Sequence, residues 1–269
     1  MPTLSLPGAT LHYEVTGSGP ETIVFAHGLL WDGRLFAPQV QALSARYRCL
    51  TFDFRGQGRS EVTADGYDMD TLAGDCIAVI EALGAPPVHL VGLSMGGFVG
   101  LRVALRRPDL LRSLTLMDTS ADPEPAENAP RYRLLGRIAR WVGVGPIAGR
   151  VMPIMFGRDF LADPARAAER RALRARLAAT DRVGVVRALG GVLTRAGVAD
   201  AIGAITTPTL VMVGEQDVAT VPEKARRIHA RIPGSRLVTI PGAGHTATLE
   251  APAAVTAALR DFLDRVPRG

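Results

Sequence analysis

Cysteine and lysine are scarce in this sequence, and each shortage excludes a class of protein. Cys49 and Cys76 are the only cysteines among 269 residues, too few for the disulfide framework of a small secreted domain. Both lie in apolar stretches, so we expect free, buried thiols in a reducing compartment. Lys224 is the only lysine, and the net charge of +5 comes from arginines spread along the chain. Spread arginines favour a solvated surface over a nucleic-acid patch, so we expect no nucleic-acid partner.

Long apolar runs and targeting signals are missing as well. No stretch is apolar for long enough to span a bilayer, and the first residues do not combine a basic segment with an apolar one as a secretory signal does. We therefore expect a cytoplasmic protein without a membrane partner. With 47% apolar and 21% charged residues the chain can bury a large core, and its length suits one large α/β domain or a domain with an inserted segment.

The sequence lacks the motifs of two common kinds of binding site. Gly56 and Gly58 lie in a glycine-bearing loop, but that loop lacks the lysine with which a P-loop binds phosphate. His27 and His245 have no partners at the spacing that metal ligands need. We expect neither a metal nor a cofactor.

What the sequence does contain is an alternation of strands and helices. Apolar, β-prone runs lie at 22–26, 49–52, 88–91, 113–117, 209–213 and 236–240. Helical patterns separate most of them, which predicts βαβ units and a mostly parallel sheet flanked by helices. The alternation stops between 120 and 205, where a proline-rich linker and helical spacing are found. The predicted fold class is therefore α/β, with a core domain of residues 1–119 and 206–269 and an inserted helical cap of residues 120–205.

Two local predictions concern the N-terminal part. Runs at 4–6 and 11–15 flank a Pro-Gly turn and predict a β-hairpin. Asp70 is a suitable N-cap for a following helix that ends at Gly84.

The pentapeptide Gly-x-Ser-x-Gly at 92–96 lies between an apolar run and a stretch that can continue as a helix. That context describes a nucleophile elbow, a turn so tight that a side chain two residues from the serine would collide. The glycines remove the collision and leave the Ser94 hydroxyl over the end of the sheet. Met95, directly after it, would offer its backbone N–H to a developing oxyanion at the start of the helix.

Two further residues complete a candidate triad. In an open parallel sheet, functional groups gather beyond the carboxyl ends of the strands, and Asp217 and His245 each follow one of the last two predicted strands. Serine, aspartate and histidine in that order are the nucleophile, acid and base of one triad-bearing fold. We predict those roles for Ser94, Asp217 and His245. Asp118, which also ends a strand, is the alternative acid.

Together these features resemble the α/β-hydrolase family over nearly the whole chain. The motifs that carry the resemblance are His27-Gly28, Asp53-x-Arg55-Gly56-x-Gly58-x-Ser60, the elbow at Ser94, Gly214-x-x-Asp217 and Gly242-x-Gly244-His245. Within the family, the chain looks most similar to the enol-lactonase, carboxylesterase and cofactor-free haloperoxidase branch. The resemblance implies that 120–205 is the family's cap, that Leu29 supplies the second oxyanion N–H, and that His27 braces this loop.

The predicted activity is hydrolysis of a carboxylic ester or lactone of a small, mostly apolar molecule through an acyl-enzyme on Ser94. The same triad could instead cleave a carbon–carbon bond in a vinylogous diketone, or form peracid as a haloperoxidase does. A catalytically silent binding protein is the alternative from another class. Five residues are candidates for the acyl pocket, with ordinary core packing as an equal alternative: Trp31, Trp141, Met152, Met155 and Phe156.

Overall fold

Eight strands form one sheet in the computed structural model, which describes residues 2–267. In chain order they are β1 (Thr3–Leu6), β2 (Ala9–Thr16), β3 (Thr22–Ala26), β4 (Arg48–Phe52), β5 (Val88–Leu93), β6 (Leu111–Met117), β7 (Thr209–Gly214) and β8 (Arg236–Ile240). Their order across the sheet is β1-β2-β4-β3-β5-β6-β7-β8. β2 runs antiparallel to β1 and to β4, and all other neighbours are parallel. The predicted fold class is confirmed.

The central strands are apolar on both faces because both faces of the sheet are covered. Every residue of β3, β5 and β7 is buried. Val24 and Leu90 join one cluster of buried apolar side chains, while their neighbours Phe25 and Val91 join another. Successive side chains of a strand point to opposite faces, so the two clusters are the two layers of the core. This arrangement explains the continuous apolar runs in the sequence.

The chain reverses its direction across the sheet beside β3. From β3 it moves outward to β4, and then it crosses back to β5 on the other side of β3. Such a reversal opens a crevice beyond the carboxyl ends of the two strands, which is where open α/β sheets bind ligands. The loops that follow β3 and β5 begin at His27 and Ser94, so both loops border this crevice.

Eleven α-helices are found in residues 2–267. They are α1 (Ala37–Leu43), α2 (Met69–Val79), α3 (Met95–Arg106), α4 (Ala129–Val142), α5 (Ala148–Met155), α6 (Arg158–Ala162), α7 (Ala167–Ala178), α8 (Arg182–Leu193), α9 (Pro222–Arg231), α10 (Ala247–Glu250) and α11 (Pro252–Leu263). None of them combines the length and the apolar character that crossing a bilayer requires.

The N-cap of α2 differs from the prediction. Asp68, not Asp70, caps the helix, because the Asp68 carboxylate accepts the backbone N–H groups of Asp70 and Thr71 at 3.1 and 2.8 Å. Asp70 lies in the first turn instead, where its negative charge also favours the helix. Both aspartates fit the sequence pattern, and only the backbone geometry separates them.

Helices α4 to α8 all lie between β6 and β7, the segment in which the sequence predicts helices and no strand. Side chains from this segment, such as Met155 and Leu177, join the same apolar cluster as Trp31 and Val91 of the surrounding fold. The helices therefore pack directly over the carboxyl edge of the sheet. The division into a core domain and a cap at 120–205 stays a prediction.

Candidate active site

The loop at Ser94 adopts the strained turn that its glycines predict. Ser94 has φ 54° and ψ −112°, which side chains rarely permit, at the junction of β5 and α3. A Cβ atom on Gly92 would lie 2.3 Å from the Gly96 carbonyl oxygen, and a Cβ atom on Gly96 would lie 2.0 Å from the Ala26 carbonyl oxygen. Both distances are far below van der Waals contact, so the close backbone approach requires both glycines.

Gly96→Ala should destabilise the protein by roughly 3 kcal/mol or more, because its new Cβ atom would meet backbone that cannot move aside. Gly74→Ala is the matched control: it lies within α2, where an added Cβ atom meets nothing within 4 Å. Alanine favours a helix interior by about 1 kcal/mol over glycine, so this variant should be as stable as the parent or more so. Urea denaturation of both variants measures the difference, and a Gly96→Ala protein of parental stability would contradict the tight turn.

Three side chains from three strand ends meet above the sheet. His245 Nε2 lies 2.9 Å from Ser94 Oγ, and His245 Nδ1 lies 2.9 Å from Asp217 Oδ2. Because a carboxylate only accepts hydrogen bonds, Nδ1 carries the ring proton, and Nε2 is left to accept from the serine hydroxyl. This is the tautomer that a general base beside a serine needs.

The Asp217 carboxylate is held by its own loop. Its Oδ1 atom accepts the backbone N–H groups of Ala219 and Thr220 at 2.8 and 3.0 Å, and its Oδ2 atom accepts the Thr220 hydroxyl at 2.6 Å. Burial works against the charged form of Asp217, but His245 and these hydrogen bonds outweigh burial and lower the pKa of Asp217. Asp217 is therefore ionised at neutral pH and oriented toward His245.

Asp118, the alternative acid, lies at the end of β6 and is fully buried. Its Oδ1 atom accepts the backbone N–H of Gly214 at 2.7 Å. Burial, and after it repulsion from Asp217, raises the pKa of Asp118 well above its ordinary value. In the part of the chain that the structure describes, no hydrogen bond joins Asp118 to His245. The geometry thus favours Asp217 as the acid and gives Asp118 a structural contact with the neighbouring strand.

Two backbone amides beside Ser94 are left without acceptors. Within residues 2–267, neither the Leu29 N–H nor the Met95 N–H donates a hydrogen bond. The Met95 N–H belongs to the first turn of α3, where the helix dipole favours negative charge. Leu30 has φ 71°, and its N–H donates to Gln57 Oε1 at 2.8 Å, which holds the loop next to Leu29 in this conformation. Both amides are free to bind an oxyanion.

His27 fixes the same loop from within the core. The Phe54 N–H donates to His27 Nε2 at 2.9 Å, so the ring proton is on Nδ1, which donates to the Gly28 carbonyl at 2.8 Å. Burial lowers the pKa of His27, which keeps the ring neutral. Since both nitrogens are engaged, His27 has none left for proton transfer, and its contacts are those of a brace.

An apolar cavity of about 140 Å³ opens onto Ser94 and His245. Leu29 and Leu30 border it on the side of the sheet. Most of the remaining wall comes from helices between β6 and β7 and includes Leu135, Ala139, Val151, Met155, Val185 and Leu189. An acyl group or a small ring of low polarity would fit this space.

The structure brings one of the five predicted pocket residues to this cavity, namely Met155. Trp31, Met152 and Phe156 are buried in the apolar cluster behind it, where the Trp31 and Phe156 rings pack edge to face at 6.1 Å. Trp141 is 79% exposed. This placement corrects the prediction for Trp141: the apolar spacing of α4 does not reveal which of its apolar residues turn outward.

The family model described as "Alpha/beta hydrolase family" matches residues 23–259. The chain belongs to the α/β-hydrolase family. A thermophilic esterase from Thermogutta terrifontis is 32% identical, with a TM-score of 0.89 over 98% of this chain and 97% of that one. The enol-lactonase of Burkholderia xenovorans LB400 is 29% identical, with a TM-score of 0.90 over 98% of this chain and all of the other. A protein of Caulobacter sp. (strain K31), provisionally named carbamate hydrolase RutD, is 30% identical over 270 residues, covering 94% of this chain and 95% of its own.

The predicted family and the prediction of an enzyme of the hydrolase class are confirmed by these similarities.

The sequence analysis missed Glu250, which organises the loop around His245. The buried Glu250 carboxylate accepts the backbone N–H groups of Gly244 and Thr246, on either side of His245, at 3.0 and 3.1 Å. It also accepts the Gly157 N–H at 2.7 Å, which connects the loop around His245 to the segment between α5 and α6. The available signal was a single carboxylate within an otherwise apolar stretch, because such a residue is buried only when it is hydrogen-bonded.

Proposed function

We propose that this chain is a serine hydrolase that cleaves a carboxylic ester or a lactone of a small, mostly apolar molecule. The observation that carries the proposal is the hydrogen-bonded row of Ser94 Oγ, the His245 ring and Asp217, with 2.9 Å at each contact, at the mouth of an apolar cavity. Such a row activates a hydroxyl for attack on an acyl carbon. The names of the similar structures, an esterase and an enol-lactonase, agree with it.

In the first half of the reaction, Ser94 Oγ attacks the carbonyl carbon while its proton passes to His245 Nε2. The carbonyl oxygen becomes an oxyanion that accepts hydrogen bonds from the Leu29 and Met95 amides. One such donor is worth about 3 kcal/mol of transition-state stabilisation. The bond from the acyl carbon to the leaving oxygen then breaks, and His245 gives its proton to that oxygen. Asp217 stabilises the imidazolium until the proton has been transferred.

In the second half, water takes the place of the departed alcohol. His245 removes a proton from the water as its oxygen attacks the acyl carbon, and the second tetrahedral intermediate uses the same two amides. The bond to Ser94 Oγ breaks, the serine recovers the proton from His245, and a carboxylic acid is released. A lactone follows the same steps, except that its leaving alcohol remains tethered and the product is a hydroxy acid.

We also propose that residues 120–205 act as a cap that sets the size of the substrate. The support is that α4, α5 and α8 supply most of the cavity wall, with aliphatic side chains. About 140 Å³ accommodates a small buried group, and an apolar wall favours one without charge. Cys49 and Cys76 are free and buried, which agrees with the cytoplasmic location that we keep as part of the proposal.

A series of p-nitrophenyl esters of increasing acyl length tests the substrate assignment. Val185 borders the cavity from α8, so the larger side chain of Val185→Phe would enter the free space. We expect kcat/KM for the longer acyl chains to fall by roughly tenfold or more, while the acetate ester changes by less than about threefold. Val62→Phe, at an exposed position outside the cavity, is the control and should leave the series unchanged. An equal loss for every acyl length in Val185→Phe would contradict binding of the acyl group in this cavity.

A carbamate is the second candidate substrate, because a relative at 30% identity carries that name. Attack by Ser94 would then leave a carbamoyl group on the serine in place of an acyl group. A p-nitrophenyl N-alkylcarbamate added to the same panel decides between them. A higher kcat/KM for the carbamate than for any ester or lactone would replace the first candidate by the second.

A further inference from the structure

Arginines occur along the whole chain, but the excess of positive over negative charge lies in one third of it. Residues 120–205 contain fourteen arginines and eight acidic residues, whereas the rest of the chain contains seventeen basic and eighteen acidic residues. The imbalance is greatest over 129–158, which has six arginines and neither aspartate nor glutamate. Charge of one sign gathered on one part of a surface attracts a partner of the opposite sign.

Helix α4 exposes a strip of apolar side chains inside this basic region. Leu134 and Trp141, two turns apart on one face, are 49% and 79% exposed, and Val142, the last residue of the helix, is 54% exposed. The opposite face of the same helix borders the cavity through Leu135 and Ala139. Single exposed apolar residues are ordinary, but three on one helix, including a tryptophan, mark an interaction surface.

Three arginines flank the strip. Arg133, Arg137 and Arg140 are spaced by four and three residues, so they form one row along α4, and all are exposed. Within residues 2–267, none of the three hydrogen-bonds to or pairs with a carboxylate. Their charges are therefore available to an outside anion.

We propose that this surface docks on a membrane that contains anionic lipid. The α4 face, made of Leu134, Trp141 and Val142 with the row of three arginines, has the arrangement of helices that lie in the membrane interface. There, tryptophan and leucine enter the headgroup boundary while guanidinium groups meet lipid phosphates. Nucleic acid would pair with the arginines but leave the apolar strip in water. A second copy of the chain would bring two like-charged rows together.

The expectation of no membrane partner came from the lack of a segment that could span a bilayer. A helix that lies on the membrane surface needs no such segment, so the α4 face revises that expectation. Docking would place the wall of the cavity next to the lipid, because Leu135 and Ala139 line the cavity on the other side of α4. Vesicle binding and ester hydrolysis are separate properties, so either can be lost without the other.

Tryptophan fluorescence offers a direct test, because Trp31 and Trp141 are the only tryptophans. In a Trp31→Phe background, Trp141 is the sole reporter. With vesicles of phosphatidylcholine and phosphatidylglycerol, its emission should move to shorter wavelength and the protein should co-sediment with the vesicles, whereas vesicles of phosphatidylcholine alone should give neither effect. Co-sedimentation of the unsubstituted protein supplies a second readout that does not depend on the Trp31 substitution.

Two paired variants assign the binding to α4. Arg133→Gln/Arg137→Gln should weaken vesicle binding by roughly tenfold or more, at about fivefold for each arginine near an anionic surface. Arg171→Gln/Arg174→Gln removes the same charge from exposed positions of α7 and should cost less than about threefold. No sedimentation at low salt, an equal loss in both pairs, or unchanged Trp141 emission on bound protein would overturn the proposal. So would self-association through the α4 face in velocity sedimentation, or binding of duplex DNA without binding of vesicles.

Discussion

Ser94→Ala should reduce kcat for a short-chain p-nitrophenyl ester by a factor on the order of a million, the loss expected when the nucleophile of a triad is removed. Alanine has no oxygen with which to form the acyl-enzyme, so binding and the two free amides are all that remain. The residual rate should still exceed that of the uncatalysed reaction, because an oxyanion site without a nucleophile retains part of the catalysis. Steady-state kinetics on protein free of parental enzyme gives the number.

The fold should tolerate this change, since His245 is the one side chain among residues 2–267 that hydrogen-bonds to Ser94 Oγ. Ser113→Ala is a control variant, because it also removes a serine hydroxyl that is hydrogen-bonded to a histidine: Ser113 of β6 is buried, and its Oγ lies 2.8 Å from Nδ1 of His89 on β5. That variant should lose about 1 kcal/mol of stability and keep its kcat. Retained activity in Ser94→Ala, or an equal loss of kcat in Ser113→Ala, would remove Ser94 from the role of nucleophile.

Asp217→Asn should lower kcat by about 10⁴-fold, the size of the effect when a triad aspartate becomes an amide in a serine protease. The asparagine amide would present a donor or a weaker acceptor to His245 Nδ1, which favours the wrong ring tautomer and no longer stabilises the imidazolium. The loop should keep its conformation, because the asparagine Oδ1 can still accept the backbone N–H groups of Ala219 and Thr220. The loss should appear in kcat with little change in KM.

Asp118→Asn is the matched variant for this prediction. It replaces a second buried aspartate close to the first, and its amide oxygen can still accept the Gly214 N–H. Because the pKa of Asp118 is raised well above its ordinary value, a neutral side chain is a close substitute for it. We expect kcat to change by less than about threefold. The reverse outcome, full activity in Asp217→Asn and a large loss in Asp118→Asn, would move the acid to the end of β6.

Much of the fold could be predicted from the sequence because its central strands are covered on both sides. Continuous apolar runs such as those of β3 and β5 have no competing helical reading at their length, and all eight strands fall at predicted positions. The helices α5 and α6 were not predicted. Pro153 lies inside α5, and α6 has only five residues, so neither carries enough periodicity to be recognised.

Part of the candidate site could likewise be predicted from the sequence, and part could not. Ser94, Asp217 and His245 each stand at a strand end, where topology alone brings distant residues together, and the hydrogen-bonded row follows. Gln57 accepts one hydrogen bond from a loop amide and Glu250 accepts three, and no spacing rule encodes such contacts. The cavity wall depends on how the helices above the sheet are rotated, and the sequence alone does not show that Leu135 of α4 faces inward while Trp141 faces outward.

Mass spectrometry of the protein after reaction with a fluorophosphonate is the most direct test of whether Ser94 is an activated nucleophile. The reagent phosphonylates a serine only when a base has activated it. Binding of the reagent in the pocket, or a triad that does not activate Ser94, would therefore give no adduct. We expect one adduct per chain, located by peptide mapping on Ser94, with loss of ester hydrolysis in proportion to labelling and no adduct in Ser94→Ala. An unlabelled protein that still hydrolyses esters, or an adduct on any other residue that accounts for the lost activity, would contradict it.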